Sequence, residues 1–142
     1  MALFARYLVA MWLAVLAAGL GAVAQAGHDF EEPVEFTAAE QVKRLLDIGE
    51  NVVFIDLRLA EEFSKGHLPS ARSIPIETLG HRWKEIPTAG RVVLYCTCPP
   101  GQRDETYAYS LLRQEKYRNI AFLEAGYTEW VKRGYPIEAA TL

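Results

Sequence analysis

The chain has 142 residues, 51% hydrophobic and 23% charged, which suits a single globular domain. Its formal net charge of −3, with no basic stripe, argues against a nucleic-acid partner. No collagen-like, repetitive or low-complexity stretch is present, and no zinc spacing, Ser/His/Asp arrangement or Gly-rich nucleotide loop.

Residues 1–26 stand apart from the rest. Arg6 supplies one positive charge with no acid, the run from Tyr7 to Ala18 is apolar, and Ala24-Gln25-Ala26 offers small residues where a signal peptidase reads. This predicts a secretory signal peptide cleaved after Ala26, an exported (periplasmic or secreted) protein, and no membrane attachment after cleavage. The alternative is an uncleaved anchor, because the apolar stretch approaches spanning length. Cleavage removes Arg6, taking the net charge from −3 to −4. Residues 27–142 form the mature domain, with a core at about 36–137 and enough chain to bury one.

Along that domain, Val34-Glu35-Phe36 alternates like a short edge strand. Thr37 and Glu40 have the spacing of a capping box. Val42, Leu45, Leu46 and Ile48 form a helical apolar stripe that Gly49 stops. Val52 to Ile55 reads as a strand buried on both faces. It ends at Asp56-Leu57-Arg58, and Ala60 to Lys65 follows as a helical turn. Ser73-Ile74-Pro75-Ile76 is a short strand limited by its proline. A short helix containing His81, Arg82, Trp83 and Lys84 comes before Pro87 and Gly90 break the chain. Val92 to Tyr95 is a second buried strand. Tyr107, Ala108, Leu111, Leu112 and Tyr117 then suit a helix packed on the sheet. Ile120 to Leu123 is a third apolar strand, turned by Glu124-Ala125-Gly126 into a short helix with Trp130 and a stop at Gly134. Strands alternating with helices predict an α/β domain with a largely parallel central sheet flanked by helices. Sites in such sheets form beyond the C-terminal strand ends. Asp56, Cys96 and Glu124 to Gly126 all occupy that position.

Both cysteines, Cys96 and Cys98, lie where the second buried strand gives way to a loop that closes on Arg103. Free N–H groups at a helix start and nearby positive charge favour a thiolate there. Asp104 and Glu105 suit a helix N-terminus, and their charge works against binding an anion at that point. An oxidising compartment favours disulfides, and a bond between cysteines two apart closes a very small ring, a labile redox element instead of a staple. A Cys-x-Cys pair also suits Cu(I), but no Met or His pair accompanies it. Neither cysteine gives the Cys-x5-Arg count of a cysteine phosphatase. His67 is read as a backbone partner in its loop, His81 as exposed and Trp130 as core.

Taken together, these segments resemble the rhodanese-like family of sulfurtransferase domains. The likeness is carried by Val53-Phe54-Ile55-Asp56-Leu57-Arg58, by Glu62-Phe63 with Gly66-His67-Leu68-Pro69-Ser70-Ala71-Arg72-Ser73-Ile74-Pro75, and by Val92-Val93-Leu94-Tyr95-Cys96. Leu123-Glu124-Ala125-Gly126-Tyr127-Thr128-Glu129-Trp130 and Gly134-Tyr135-Pro136 complete it. The resemblance implies a cysteine that takes sulfane sulfur from a donor such as thiosulfate and passes the resulting persulfide sulfur to a thiophilic acceptor. It implies no cofactor and no metal, a small sulfur-containing substrate, and a thiol protein as a candidate acceptor. The persulfide is anionic and calls for converging N–H donors.

The chain departs from the family pattern at the loop. The usual loop length is matched by the six residues from Cys98 to Arg103, and exceeded by the eight from Cys96 to Arg103. Strand register favours Cys96 as nucleophile, whereas loop length favours Cys98. Pro99 and Pro100 have no N–H, so a cradle around Cys98 loses the two donors directly after the nucleophile, whereas one around Cys96 keeps those of Thr97 and Cys98. Cys96 is the first assignment and Cys98 the alternative or a resolving thiol. Gly101, Gln102 and Arg103, with Asp56 and Arg58, are candidates for binding substrate or supporting the loop. The competing reading is a non-catalytic binding or thiol-redox module built on the Cys-x-Cys pair. A small acidic domain of this kind is expected to be a monomer.

Overall fold

The computed structural model describes residues 33–97 and 103–139. The expected signal peptide and the Cys98, Pro99, Pro100, Gly101 and Gln102 assignments lie outside the described residues.

Among the described residues, five strands form one parallel sheet: β1 (Phe36–Thr37), β2 (Val52–Asp56), β3 (Arg72–Ser73), β4 (Arg91–Tyr95) and β5 (Ile120–Leu123), in the order β1-β5-β4-β2-β3. The helices are α1 (Ala39–Asp47), α2 (Ala60–Lys65), α3 (Ile76–Arg82), α4 (Arg103–Gln114) and α5 (Gly126–Lys132), with a 3-10 turn at Trp83–Glu85. The expected α/β architecture is therefore present. The three apolar runs read as buried strands are its centre, because a parallel sheet covered on both faces needs continuously apolar strands.

Side chains along a strand alternate between faces, and two separate cores follow. Val92, Leu94 and Cys96 pack with Ile55, Leu57, Ile120 and Phe122 against the α3 and α4 side, where Leu79, Ala108 and Leu112 are buried. Val93 and Tyr95 pack with Phe54 and Leu123 against Ala39, Val42 and Trp130 of α1 and α5. Trp130 is wholly buried, as expected of a core residue, and its indole N–H donates to the Pro136 carbonyl at 2.8 Å. Phe54 meets it edge-on.

Several local readings are corrected. The expected capping box does not form. Thr37 belongs to β1, where its carbonyl accepts from the Glu124 N–H. Ala38 is the N-cap with no side-chain hydrogen bond, and Glu40 pairs with Arg133, the C-cap of α5. Pairing of Thr37 with Leu123 thus moves the helix start one residue onward. Ile48 is 74% exposed, because α1 ends at Asp47 and leaves the stripe one residue early. The segment around Pro75 is shorter as a strand than expected. β3 ends at Ser73 and Pro75 is the N-cap of α3, where its fixed φ suits a helix entrance. Tyr107 is 50% exposed, and the buried stripe of α4 runs through Glu105, Ala108, Tyr109 and Leu112.

Candidate active site

The C-terminal ends of β2, β4 and β5 converge on Cys96. Asp56 lies beside Tyr95 in register, so Cys96 is one residue beyond the paired strand. The Leu57 N–H still donates to the Tyr95 carbonyl at 2.9 Å. The Cys96 carbonyl accepts from the Tyr127 N–H at 2.9 Å, which ties the strand end to the first turn of α5. Ala125 and Gly126 both have φ of 55°, and a Cβ on Gly126 would stand 2.1 Å from the Cys96 oxygen. The turn after β5 therefore has to carry a residue with no side chain. The expectation of a turn at this place holds, and the contact supplies its reason.

Asp56 and Arg58 form a buried pair, with Nη2 to Oδ2 at 2.6 Å and the Arg58 Nε donating to both carboxylate oxygens. The Arg58 backbone N–H donates to Asp56 Oδ1, and its Nη2 also donates to the Gly66 carbonyl at 2.7 Å. Its guanidinium lies 3.7 Å from the centre of the Tyr127 ring. Burial works against the Arg58 charge, but the Asp56 hydrogen bond and charge outweigh it, and the Arg58 pKa stands above its ordinary value. This pair joins the β2 end, the Gly66 loop and α5. Tyr95 lies beneath it. Burial and Asp56 hold the phenol strongly in its neutral form, and its hydroxyl oxygen accepts from the Leu68 N–H.

A cavity of 150 Å³ opens on Cys96, lined among others by Arg58, Glu62, Glu77, Thr97 and Asp104. Among the described residues, three carboxylates therefore face it beside one guanidinium that Asp56 already holds. A larger cavity of 450 Å³ lies at the opposite strand ends, around Asn51, Arg91 and Asn119. It is remote from the cysteine and on the side of a parallel sheet where sites do not form.

Cys96 itself is 5% exposed and disulfide-bonded. The sequence holds one other cysteine, Cys98. Arg103 is the first residue of α4 and is exposed. His67 is not part of this arrangement. Its Nδ1 is 3.0 Å from the Phe63 carbonyl, its ring stacks on Phe63, and its backbone bridges to Glu138. His81 is exposed.

Sequence reasoning missed Glu105. Its carboxyl is buried at 2% exposure, with Oε1 3.8 Å from Cys96 Sγ. The signal was present as an acid in an otherwise apolar i, i+3, i+4, i+7 stripe of α4. Reading the stripe through Tyr107 and Leu111 hid it.

With this geometry established, comparison with known proteins places the fold in one class. The chain belongs to the rhodanese-like domain family, whose model matches residues 38–133. A sulfurtransferase of Allochromatium vinosum is 32% identical over 101 residues, covering 71% of this chain and 92% of its own. Among solved structures, a rhodanese-related protein of Thermoplasma volcanium superposes with a TM-score of 0.64 at 22% identity, over 75% of this chain and 99% of that one. A thiosulfate sulfurtransferase of Pseudomonas aeruginosa gives a TM-score of 0.63 at 27% identity, over 76% of this chain and 21% of that one. Two further curated relatives are longer proteins, of which this chain spans less than half.

Proposed function

We propose that this protein is a sulfurtransferase that carries sulfane sulfur on Cys96. The observation that carries this reading is the position of Cys96, at the C-terminal end of a central strand and on the wall of a cavity. Reduced Cys96 attacks the outer sulfur of a donor such as thiosulfate. The donor S–S bond breaks, sulfite leaves with the electron pair, and Cys96 holds the persulfide. A thiophilic acceptor, either a small anion or a protein thiol, then bonds to the outer sulfur and Cys96 leaves with the electron pair. Asp56 and Arg58 support the site by fixing the β2 end, and Gly101, Gln102 and Arg103 are the candidates for binding the transferred sulfur. The chain acts alone as a monomer and, as an exported protein, meets donors outside the cytoplasm.

A specific observation favours a second reading, a thiol-redox module: Cys96 is disulfide-bonded. Intact mass after reduction and thiosulfate treatment separates the two. Gain of one sulfur, lost in Cys96→Ser and kept in Cys98→Ser, supports the Cys96 carrier. Gain lost only in Cys98→Ser moves the nucleophile to Cys98. Loss of two hydrogens on mild oxidation with no sulfur adduct supports the redox module and ends the transferase reading.

A further inference from the structure

We propose that Glu105 is the proton acceptor and donor of Cys96. This rests on the reading of Cys96 as the reacting thiol. An acid at 2% exposure is uncommon, and folds keep such groups where they are paired or where they act. Glu105 projects from the buried stripe of α4 that packs on the same side of the sheet as Val92, Leu94 and Cys96. Period-two alternation along β4 aims Cys96 at that helix, and Oε1 comes within 3.8 Å of Sγ. A disulfide sulfur carries no hydrogen and neither does a carboxylate oxygen. The contact is a hydrogen bond in the oxidised protein only with a proton on Glu105, and in the reduced protein only with at least one proton on the thiol–carboxyl pair.

The other charged groups facing the cysteine are poorly suited to that exchange. Arg58 from the β2 end is a permanent cation held by Asp56. Glu62 of α2, Glu77 of α3 and Asp104 of α4 line the cavity wall. In the forward step the Cys96 thiol gives its proton to the Glu105 carboxylate, and the thiolate electron pair forms the bond to the donor's sulfane sulfur. The donor S–S bond breaks and its leaving group takes that bond's pair. In the return step the acceptor thiolate bonds to the outer sulfur, the persulfide S–S bond breaks toward Cys96, and Glu105 returns the proton. Sulfur moves from donor to acceptor with no external oxidant. Reduction of the resting disulfide by a dithiol follows the same proton route, with the dithiol oxidised to its own disulfide.

The test places Glu105→Gln and Glu105→Asp in the full chain in a Cys98→Ser background, where Cys96 is the sole thiol. Two readouts are taken: the pH profile of Cys96 alkylation by iodoacetamide, and thiosulfate-to-thiol sulfur transfer. A thiol and a carboxyl sharing one proton titrate as a coupled pair, so alkylation with Glu105 present rises in two steps. In Glu105→Gln it rises in one step, and transfer falls on the order of 10²-fold. Glu105→Asp retains two steps with slower transfer, and this variant decides the question if Glu105→Gln does not fold. Profiles and transfer rates unchanged in the variant that folds overturn the proposal. Alkylation needs no sulfur donor, so the two readings fail separately. A parent protein that alkylates in two steps but transfers no sulfur ends the transferase reading and keeps Glu105. Transfer with a profile indifferent to residue 105 ends only the Glu105 proposal.

Discussion

Gly126 shows how a single residue sets the site. It needs φ of 55° and tolerates no Cβ, because that atom would lie 2.1 Å from the Cys96 carbonyl oxygen. The obstacle is backbone, which cannot swing aside as a side chain can. Gly126→Ala is expected to cost more than about 3 kcal/mol by chemical denaturation, from the left-handed backbone penalty plus displacement of the β4 end. In the fraction that folds, Cys96 alkylation should change as well, because the Tyr127 N–H that holds its carbonyl moves with the turn. Gly134→Ala is the control. It shares a positive φ of 68° but has nothing within 4 Å of its Cβ position, so only the smaller backbone penalty of about 1–2 kcal/mol applies. The sequence marks both positions as stops or turns, and the contact that makes one of them critical to the cysteine is not local.

At the scale of elements, α2, α3 and α4 each bring one carboxylate to the cavity: Glu62, Glu77 and Asp104. Together they repel a dianionic donor, an effect that acts through water and weakens with salt. Glu77 is exposed and can be exchanged without disturbing the core. Glu77→Lys is expected to raise kcat/KM for thiosulfate about three- to tenfold at low ionic strength, with kcat nearly unchanged. The gain should shrink as salt is added and be smaller for a monoanionic persulfide donor than for dianionic thiosulfate. Equal effects on the two donors, independent of salt, would show that the rim does not act through charge. The α4 stripe carries the lesson about legibility. Its periodicity was readable, yet two overlapping stripes fit the letters. The one through Glu105, Ala108, Tyr109 and Leu112 is selected by contact with Ile55, Leu94 and Phe122, strands far away in the chain.

For the whole molecule, the buried phenols set the alkaline limit. Burial, then Asp56, keeps Tyr95 neutral well beyond the ordinary range, and burial, then Glu115, raises Tyr117 less. Unfolded tyrosine releases its proton near pH 10. Above that the folded state holds protons that the unfolded chain has lost, so rising pH favours unfolding by about 1.4 kcal/mol per pH unit for each such group. Thermal midpoints should therefore fall above about pH 10. Tyr95→Phe should be less stable at neutral pH, because the Leu68 N–H loses its acceptor, yet should show a shallower alkaline slope. An unchanged slope would place the alkaline limit elsewhere.

The sequence by itself determined the class of fold, the three central strands and the position of Cys96 at a strand end. Continuous β-branched runs separated by helical stripes leave few other arrangements. The end of the first buried strand at Asp56-Leu57-Arg58 was legible for the same reason, whereas a support role for that pair came from the family resemblance. Tertiary structure decided what surrounds the thiol: Gly126 against its carbonyl, Glu105 beside its sulfur, and three acids from three helices around its cavity. Each of these joins segments that no local period relates. Burial and approach distance are properties of packed elements, whereas the sequence pattern records only which face of its own element a residue occupies.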